Sequence, residues 1–351
     1  MTFDRIMFSK PGEEFLKKEN EILILSEKQV KGFLKVSDAI RIVEETFKAY
    51  DEGKVVMSRP ACITIADESF LIAMPGYVTT IGMAGVKWIA SFPHNLEKRG
   101  IPTHFGLILL NDPVTGLPVA IMGGNWITAA RTAAATAVGA KYLAKRNAKV
   151  VGIIGAGVQG TANLEALNEV LRIELVKVTS IRKESRRRFA NEMGEKLGLE
   201  VRAVDNSDEV VRGSDVIVNA TPSDQPFVKD ELAAPGVLYA SVGTHQGCDD
   251  KFPLYADKSV VDYLEGFTAL GMGSFGSLLN KQIVTNEDVY AELGQIVAGR
   301  KRGRASDDER ILFFNSGMAM NDVAVGDKVY ALALKNNVGR FVKIFSGLRN
   351  E

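Results

Sequence analysis

The segment Val150-Val151-Gly152-Ile153-Ile154-Gly155-Ala156-Gly157-Val158-Gln159-Gly160 constrains this chain more than any other. A short apolar run leads directly into G-x-G-x-x-G, and Leu164, Leu167 and Leu171 follow at helical spacing. The pattern predicts a strand over 150–154, a glycine turn and a helix over 161–171. The three glycines differ in physical role. Gly155 makes a tight turn, Gly157 lets backbone approach a pyrophosphate, and Gly160 allows close helix–strand packing. The helix N-terminus adds unpaired N–H groups and partial positive charge, which suit phosphate. The segment reads as a dinucleotide-binding turn, with Gly155, Ala156, Gly157, Val158 and Gln159 as cofactor contacts.

The following strand, Leu175-Val176-Lys177-Val178-Thr179, narrows the cofactor. Sites that hold a free ribose 2′-hydroxyl place an acid at its end, about 20 residues past the glycines. Here Ser180-Ile181-Arg182-Lys183 stand there, and the first acid is Glu184. A hydroxyl beside two cations suits a 2′-phosphate, whose oxygens arginine grips in a fork. Ser180, Arg182 and Lys183 therefore favour NADP(H) over NAD(H). A solvated basic turn leading into Arg186-Arg187-Arg188 is the plainer alternative.

Length and composition set the frame. At 351 residues the chain suggests two domains, and 46% hydrophobic with 25% charged residues is ordinary for a soluble globular protein. Formal net charge is zero and no basic stripe appears, which argues against a nucleic-acid partner. Cys62 and Cys248 form neither a disulfide framework nor C-x-x-C, so a reducing compartment is the default. The first residues lack a signal-like apolar run and no segment approaches membrane-spanning length. The expected location is cytoplasmic, without a membrane partner.

Along the chain, residues 1–20 read as a charged N-terminal extension. A strand over 21–25 precedes a helix bearing Ile40, Val43, Phe47 and Tyr50, capped by Ser37 or Asp38 and ending near Gly53. Short strands over 61–65, 69–73, 85–90, 106–110 and 118–122 predict an antiparallel β-rich lobe. An alanine-rich helix covers 128–143. From 149 to 263, strands over 150–154, 175–179, 215–219, 237–241 and 259–261 alternate with helices, as in a doubly wound parallel sheet. Residues 286–298 read as helix, 299–309 as a solvated charged loop, 311–314 as an apolar segment, and 319–336 as a last helix returning to the first lobe.

The chemistry rests on few residues. There is no H-x-x-x-H, C-x-x-C or G-x-S-x-G, so neither a metal site nor a serine nucleophile elbow is expected. His94, His104 and His245 fall in predicted loops. Three cations stand out: Arg59 before Pro60, Lys87 inside the apolar strand, and Arg131 inside the alanine-rich helix. A charge in an apolar element is costly to bury unless an anion meets it. The three could together bind a carboxylate, or each could be partly exposed and snorkel.

Met74-Pro75, Gly85-Val86-Lys87-Trp88, Gly100-Ile101-Pro102-Thr103, Asn111-Asp112-Pro113-Val114-Thr115-Gly116-Leu117-Pro118, Thr128-Ala129-Ala130-Arg131-Thr132-Ala133-Ala134, the glycine turn and Asn315-Ser316-Gly317-Met318-Ala319 stand in this order along the chain. Together they carry a resemblance to the ornithine cyclodeaminase/mu-crystallin family over roughly 21–345. It implies an α/β fold: a Rossmann domain over 136–317 and a second α+β substrate-binding and dimerisation lobe from 21–135 and 318–351, forming a homodimer. It also implies that Arg59, Lys87 and Arg131 meet a substrate carboxylate with Thr103 nearby. Thr132 would face the pyrophosphate, while Thr221, Gly243, Ser316 and Gly317 would lie along the cofactor. Two segments depart from the family pattern. Gly243-Thr244-His245-Gln246-Gly247-Cys248-Asp249-Asp250 appears shortened, leaving His245 or Asp249 as the second acid–base group beside Lys87. Gly123-Gly124-Asn125 resembles members that reduce imines of small dicarboxylates.

The reading that follows is an NAD(P)H-dependent oxidoreductase acting on C=N/CH–NH next to a carboxylate, with a small imino, amino or keto acid as substrate. Lys87 polarises the substrate and moves the proton, since burial lowers a lysine pKa. Two alternatives stand beside it. One is an ornithine- or lysine-type cyclodeaminase with catalytic NAD; the other is a non-catalytic NADP(H)-binding protein.

Overall fold

The computed structural model describes residues 21–66, 69–221, 223, 226–242, 247–270 and 273–345. Two eight-stranded sheets organise them. The first contains β1 Glu21–Leu25, β2 Val55–Met57, β3 Ala61–Ala66, β4 Ser69–Val78, β5 Met83–Ser91, β6 His104–Asn111, β7 Pro118–Gly123 and β16 Arg340–Lys343. Their order is β16-β1-β7-β6-β5-β4-β2, with β3 also paired to β4. All pairings are antiparallel except β1 with β7. Register decides what each face carries. Lys87 lies opposite Met74 and Ile108 on the face covered by helix, while Trp88 lies opposite Ala73 and Leu107 on the other. That outer face is apolar and open: Trp88 is 42% and Leu107 51% exposed, and Ile63 and Phe105 are exposed with them.

The second sheet is wholly parallel. Its strands are β8 Val150–Ile154, β9 Leu175–Thr179, β10 Glu200–Ala203, β11 Val216–Asn219, β12 Leu238–Val242, β13 Lys258–Val261, β14 Ala291–Glu292 and β15 Ile311–Asn315. The order β10-β9-β8-β11-β12-β15-β13-β14 is a doubly wound arrangement with β15 inserted beside β12. The segment read only as apolar, 311–314, is thus a central strand, and all five residues of β15 are buried. The helix expected over 286–298 does not form. Tyr290 N donates to Ser259 O at 2.8 Å and Ala291 pairs with Val260, so the sheet edge captures this backbone. A short helix, Leu293–Val297, remains.

Six helices carry most of the packing: α1 Glu27–Phe33, α2 Val36–Asp51, α3 Asn125–Leu143, α4 Val158–Val170, α5 Lys183–Leu197 and α6 Ala319–Lys335. Helix α1, not among the helices expected above, opens on a Ser26/Gln29 capping box. Its Glu27 carboxylate accepts from Asn125 N at 3.2 Å and from Trp126 N, which starts α3 before Thr128. The α2 N-cap is Lys35 rather than Ser37 or Asp38. Helix α3 is buried almost end to end and touches α2, α4 and both sheets. Small residues make this approach possible; a Cβ at Gly139 would lie 2.8 Å from the Phe313 ring. Helix α6 covers β4, β5 and β6. Among the described residues, no helix is long and apolar enough to cross a membrane.

Helix α6 also carries a testable burden. Burial pushes the Asp327 carboxyl up to about 6, with Lys328 opposing. A carboxyl raised above its unfolded value near 3.9 is easiest to bury when neutral. Its stabilising neutral form is therefore lost as pH rises through about 4 to 6. Asp327→Asn should raise stability at pH 8 by up to about 3 kcal/mol, and the gain should vanish near pH 4. Thermal unfolding of both proteins across that range checks it; a gain independent of pH would contradict the assignment.

Candidate functional site

In a parallel sheet all carboxyl ends line one edge, and ligands bind beyond it. Here that edge carries Gly155 after β8, Thr221 after β11, Asp262 after β13 and Ser316-Gly317 after β15. At Gly155 φ is +111°, and a Cβ would lie 2.6 Å from Ala220 O; at Gly160 a Cβ would lie 2.0 Å from Gly155 O. Both positions exclude side chains. Gly157 differs: its backbone is extended, and a Cβ there meets nothing within 4 Å. Open space thus lies over the N-terminus of α4, where the first amides have no intrahelical acceptor. Ala156 and Gln159 are partly exposed there and Val158 is exposed. The residues present fit a pyrophosphate.

At the end of β9, Arg182 and Lys183 are exposed, and Ser180 Oγ donates to Arg182 O at 3.0 Å. Arg186 donates to Ser180 O at 3.1 Å and pairs with Asp205, so a second cation braces the turn from behind. Thr221 donates through N (3.2 Å) and Oγ1 (3.0 Å) to Asn219 Oδ1. The Thr132 carbonyl accepts from Asn315 Nδ2 at 2.8 Å, tying α3 to β15.

The edge meets the first sheet at a buried charged cluster. Lys87, on β5, and Arg131, on α3, are 1% and 4% exposed, and both reach Asp322, on α6, which is fully buried. Lys87 Nζ lies 2.8 Å from Asp322 Oδ2, and Arg131 Nε donates to Asp322 Oδ1 at 3.0 Å. Burial lowers the Lys87 ammonium to about 8; Arg131 adds to this and Asp322 opposes it. Behind Arg131 sits Gly317, φ +98°, where a Cβ would lie only 2.3 Å from Nη1. The turn is held by Asp262, which accepts from Ser316 Oγ at 2.7 Å and from Gly317 N at 2.5 Å. Burial pushes the Asp262 carboxyl up, against those two hydrogen bonds.

Other expected residues fall elsewhere. Arg59 does not join the cluster. It is exposed and pairs with Glu265 at 2.8 Å, on a 560 Å³ cavity whose walls include Leu264, Tyr290, Glu292 and Lys301. Thr103 Oγ1 contacts His104 Nδ1 at 2.9 Å, and His104 Nε2 contacts Ser91 Oγ at 3.1 Å, on the same face of β5 as Lys87. His104 opens β6 rather than lying in a loop. Asp249 is committed to backbone: its carboxylate accepts from Asp230 N and Phe252 N, each at 3.0 Å. These contacts place it in the turn before the short helix Lys251–Tyr255. Gly243 and His245 lie outside the described residues. Gly123-Gly124-Asn125 has a structural role, since Gly124 N donates to Gly106 O and Gly106 N to Asn125 Oδ1, each at 2.8 Å.

Asp322 and Asp262 were missed in the sequence. Asp322 carries a related signal, a charge set between Ala319-Met320 and Val323-Ala324-Val325 in the first turns of a helix just after Ser316-Gly317.

A glycine turn on the first strand of a doubly wound sheet, backed by a charged cluster on a second sheet, defines a two-lobed dinucleotide-binding protein. The sequence profile of the ornithine cyclodeaminase/mu-crystallin family matches residues 20–337, and the chain belongs to that family. It is similar to alanine dehydrogenase of Archaeoglobus fulgidus, with 38% identity over 93% of this chain and 99% of the relative. It is also similar to the structure of Thermococcus litoralis Delta(1)-pyrroline-2-carboxylate reductase in complex with NADH and L-proline. Identity there is 34% and the TM-score 0.87, over 92% of this chain and 100% of that one. An archaeal alanine dehydrogenase dimer with bound NAD superposes with TM-score 0.86 at 37% identity, over 93% and 100%.

Because Gly157 faces open space in an ordinary backbone conformation, Gly157→Val should leave thermal unfolding of the ligand-free protein almost unchanged. Dinucleotide affinity, read by fluorescence titration, should fall by about tenfold or more, since a side chain would occupy the phosphate path. Unchanged affinity would place the cofactor elsewhere.

Proposed function

We propose that this chain is a nicotinamide-dependent oxidoreductase that acts on C=N/CH–NH next to a carboxylate, as an imine reductase or an alanine-dehydrogenase-like enzyme. The observation that carries this reading is the buried Lys87–Asp322–Arg131 cluster at the carboxyl edge of the dinucleotide-binding sheet. The relatives' names agree, since they act on an amino acid and on a cyclic imine beside a carboxylate. When bound, the nicotinamide supplies or accepts the hydride at the substrate carbon. Two cations face Asp322, with Asp262 acting on Arg131 from its far side, and the two cations suit a substrate carboxylate. Arg131, held through Nε, would meet that carboxylate with its guanidinium, and Thr103 and Arg59 lie further out. Lys87 gives the substrate nitrogen its proton during reduction and takes it back during oxidation. A pKa of about 8 leaves most of the lysine protonated at neutral pH.

In this reading residues 136–317 form the dinucleotide-binding domain, with Thr132, Ser316 and Gly317 beside the cofactor, and 21–135 with 318–351 form the substrate lobe. Ser180, Arg182 and Lys183 select NADP(H). The exposed apolar face around Trp88 and Leu107 pairs two copies into a dimer, since such a face is unfavourable in water.

Turnover is measured by nicotinamide absorbance with pyruvate and ammonia or with cyclic ketimines. Lys87→Met should lower kcat by roughly 10²- to 10⁴-fold, the usual contribution of an acid–base group. Cofactor affinity should not change. Turnover within a few-fold of the parent would remove Lys87 from the chemistry. Arg182→Ala should shift the NADPH/NADH preference in kcat/KM by about tenfold toward NADH, the loss of one charge-assisted phosphate contact. An unchanged ratio would dismiss the NADP(H) assignment.

A further inference from the structure

We propose that Asp322 is a positioning residue for proton transfer, its single carboxylate holding Lys87 and Arg131 in fixed relation to each other. The inference rests on the acid–base reading of Lys87 and adds a residue to it.

The geometry comes from three elements. One carboxylate oxygen faces Lys87 Nζ at 2.8 Å, and the other accepts from Arg131 Nε at 3.0 Å. Without an anion between them, two adjacent cations in this buried site would repel each other and lose solvation together. The carboxylate also selects which donors remain. The Lys87 ammonium, with its three N–H groups, is held against Asp322 Oδ2 as an ion pair at 2.8 Å. Arg131 is fixed through Nε, with its terminal nitrogens against Gly317, where any Cβ would collide with them. The lysine proton and the guanidinium edge are thereby presented from one rigid frame.

The proton balance is simple. As hydride reaches the carbon, the substrate nitrogen takes a proton from Lys87 Nζ. The lysine becomes a neutral amine and regains a proton from solvent. Asp322 takes no part in this transfer; it attracts the ammonium form of Lys87 and so resists early proton loss. Lys87 is faced by Asp322 from α6 and Arg131 from α3. Asp262 acts on Arg131 from the far side, and His104 shares the sheet face at the register of Ser91.

The test is Asp322→Asn, which keeps the shape and removes the charge. Lys87 then loses the one group that favours its protonated form. The alkaline limb of reductive kcat/KM should move toward acid by about one pH unit or more. At pH 8, kcat should fall by roughly tenfold or more, with dinucleotide affinity unchanged. A folded variant with an unmoved limb and kcat within about twofold of the parent would overturn the proposal.

Should Asp322→Asn not fold, Asp322→Glu supplies the reading. It keeps the charge but cannot satisfy both contacts, so the limb should stay in place while KM rises about tenfold through displaced Arg131. Parental constants in that variant would overturn the proposal equally. The Lys87→Met result separates the two levels. Turnover surviving there defeats the acid–base reading itself, whereas a dead Lys87→Met with a parental Asp322→Asn defeats only the role of Asp322.

Discussion

A buried carboxylate between two buried cations is the interaction on which the remaining geometry depends. Removing the carboxylate would leave two uncompensated cations in an apolar setting, a far larger loss than that of a surface ion pair. The three residues come from β5, α3 and α6, so their mutual placement requires the first sheet, the central helix and the last helix to dock in one arrangement. The charge cluster serves as a registration point for the fold as well as a candidate reactive centre.

Around it, close approach is achieved by what is missing from the side chains. Helix α3 reaches α2, α4 and both sheets because its faces carry alanine and glycine. Gly139 lets Phe313 of the central strand β15 sit against the helix, and Gly317 lets the Arg131 guanidinium lie on backbone. The Asp262 carboxylate then fixes the turn after β15 by accepting from Ser316 and Gly317. Backbone contacts of this kind tolerate little displacement, which keeps the site narrow in conformation before any ligand arrives.

Much of this was legible because it is local. The glycine turn, the strands at 150–154 and 175–179 and the buried lysine in β5 each announce themselves within a few residues. Helix α6 ends within a residue of where its pattern stops. The failures share a cause: long-range partners decided them. Residues 286–298 carry helical periodicity, yet β13 recruits Ala291 into a sheet edge. Residues 311–314 are apolar in a way that fits helix or strand, and only the gap between β12 and β13 resolves it. At the site, Lys87 and Arg131 could be suspected as misplaced charges, but Asp322 could be named their partner only once α6 was docked. Arg59 and Asp249 looked equally chemical in the sequence. Their nearest groups, Glu265 in one case and backbone amides in the other, are invisible in it.

Strand β1 lies between β7 and β16, so Glu21 pairs with Lys343 near the other end of the chain. Loop closure over such a separation is entropically slow, and contacts of this range delay folding more than they alter final stability. During synthesis the parallel sheet emerges whole before β16 exists, and its strands can pair while the first sheet still lacks an edge. The α6 carboxylate arrives in the same late stretch, so Lys87 and Arg131 must wait in water for their counter-ion. The strands of the cofactor half can therefore all have emerged while the apolar strands of the other half still lack β16. Unpaired apolar strands of that kind are the general source of aggregation in newly made chains.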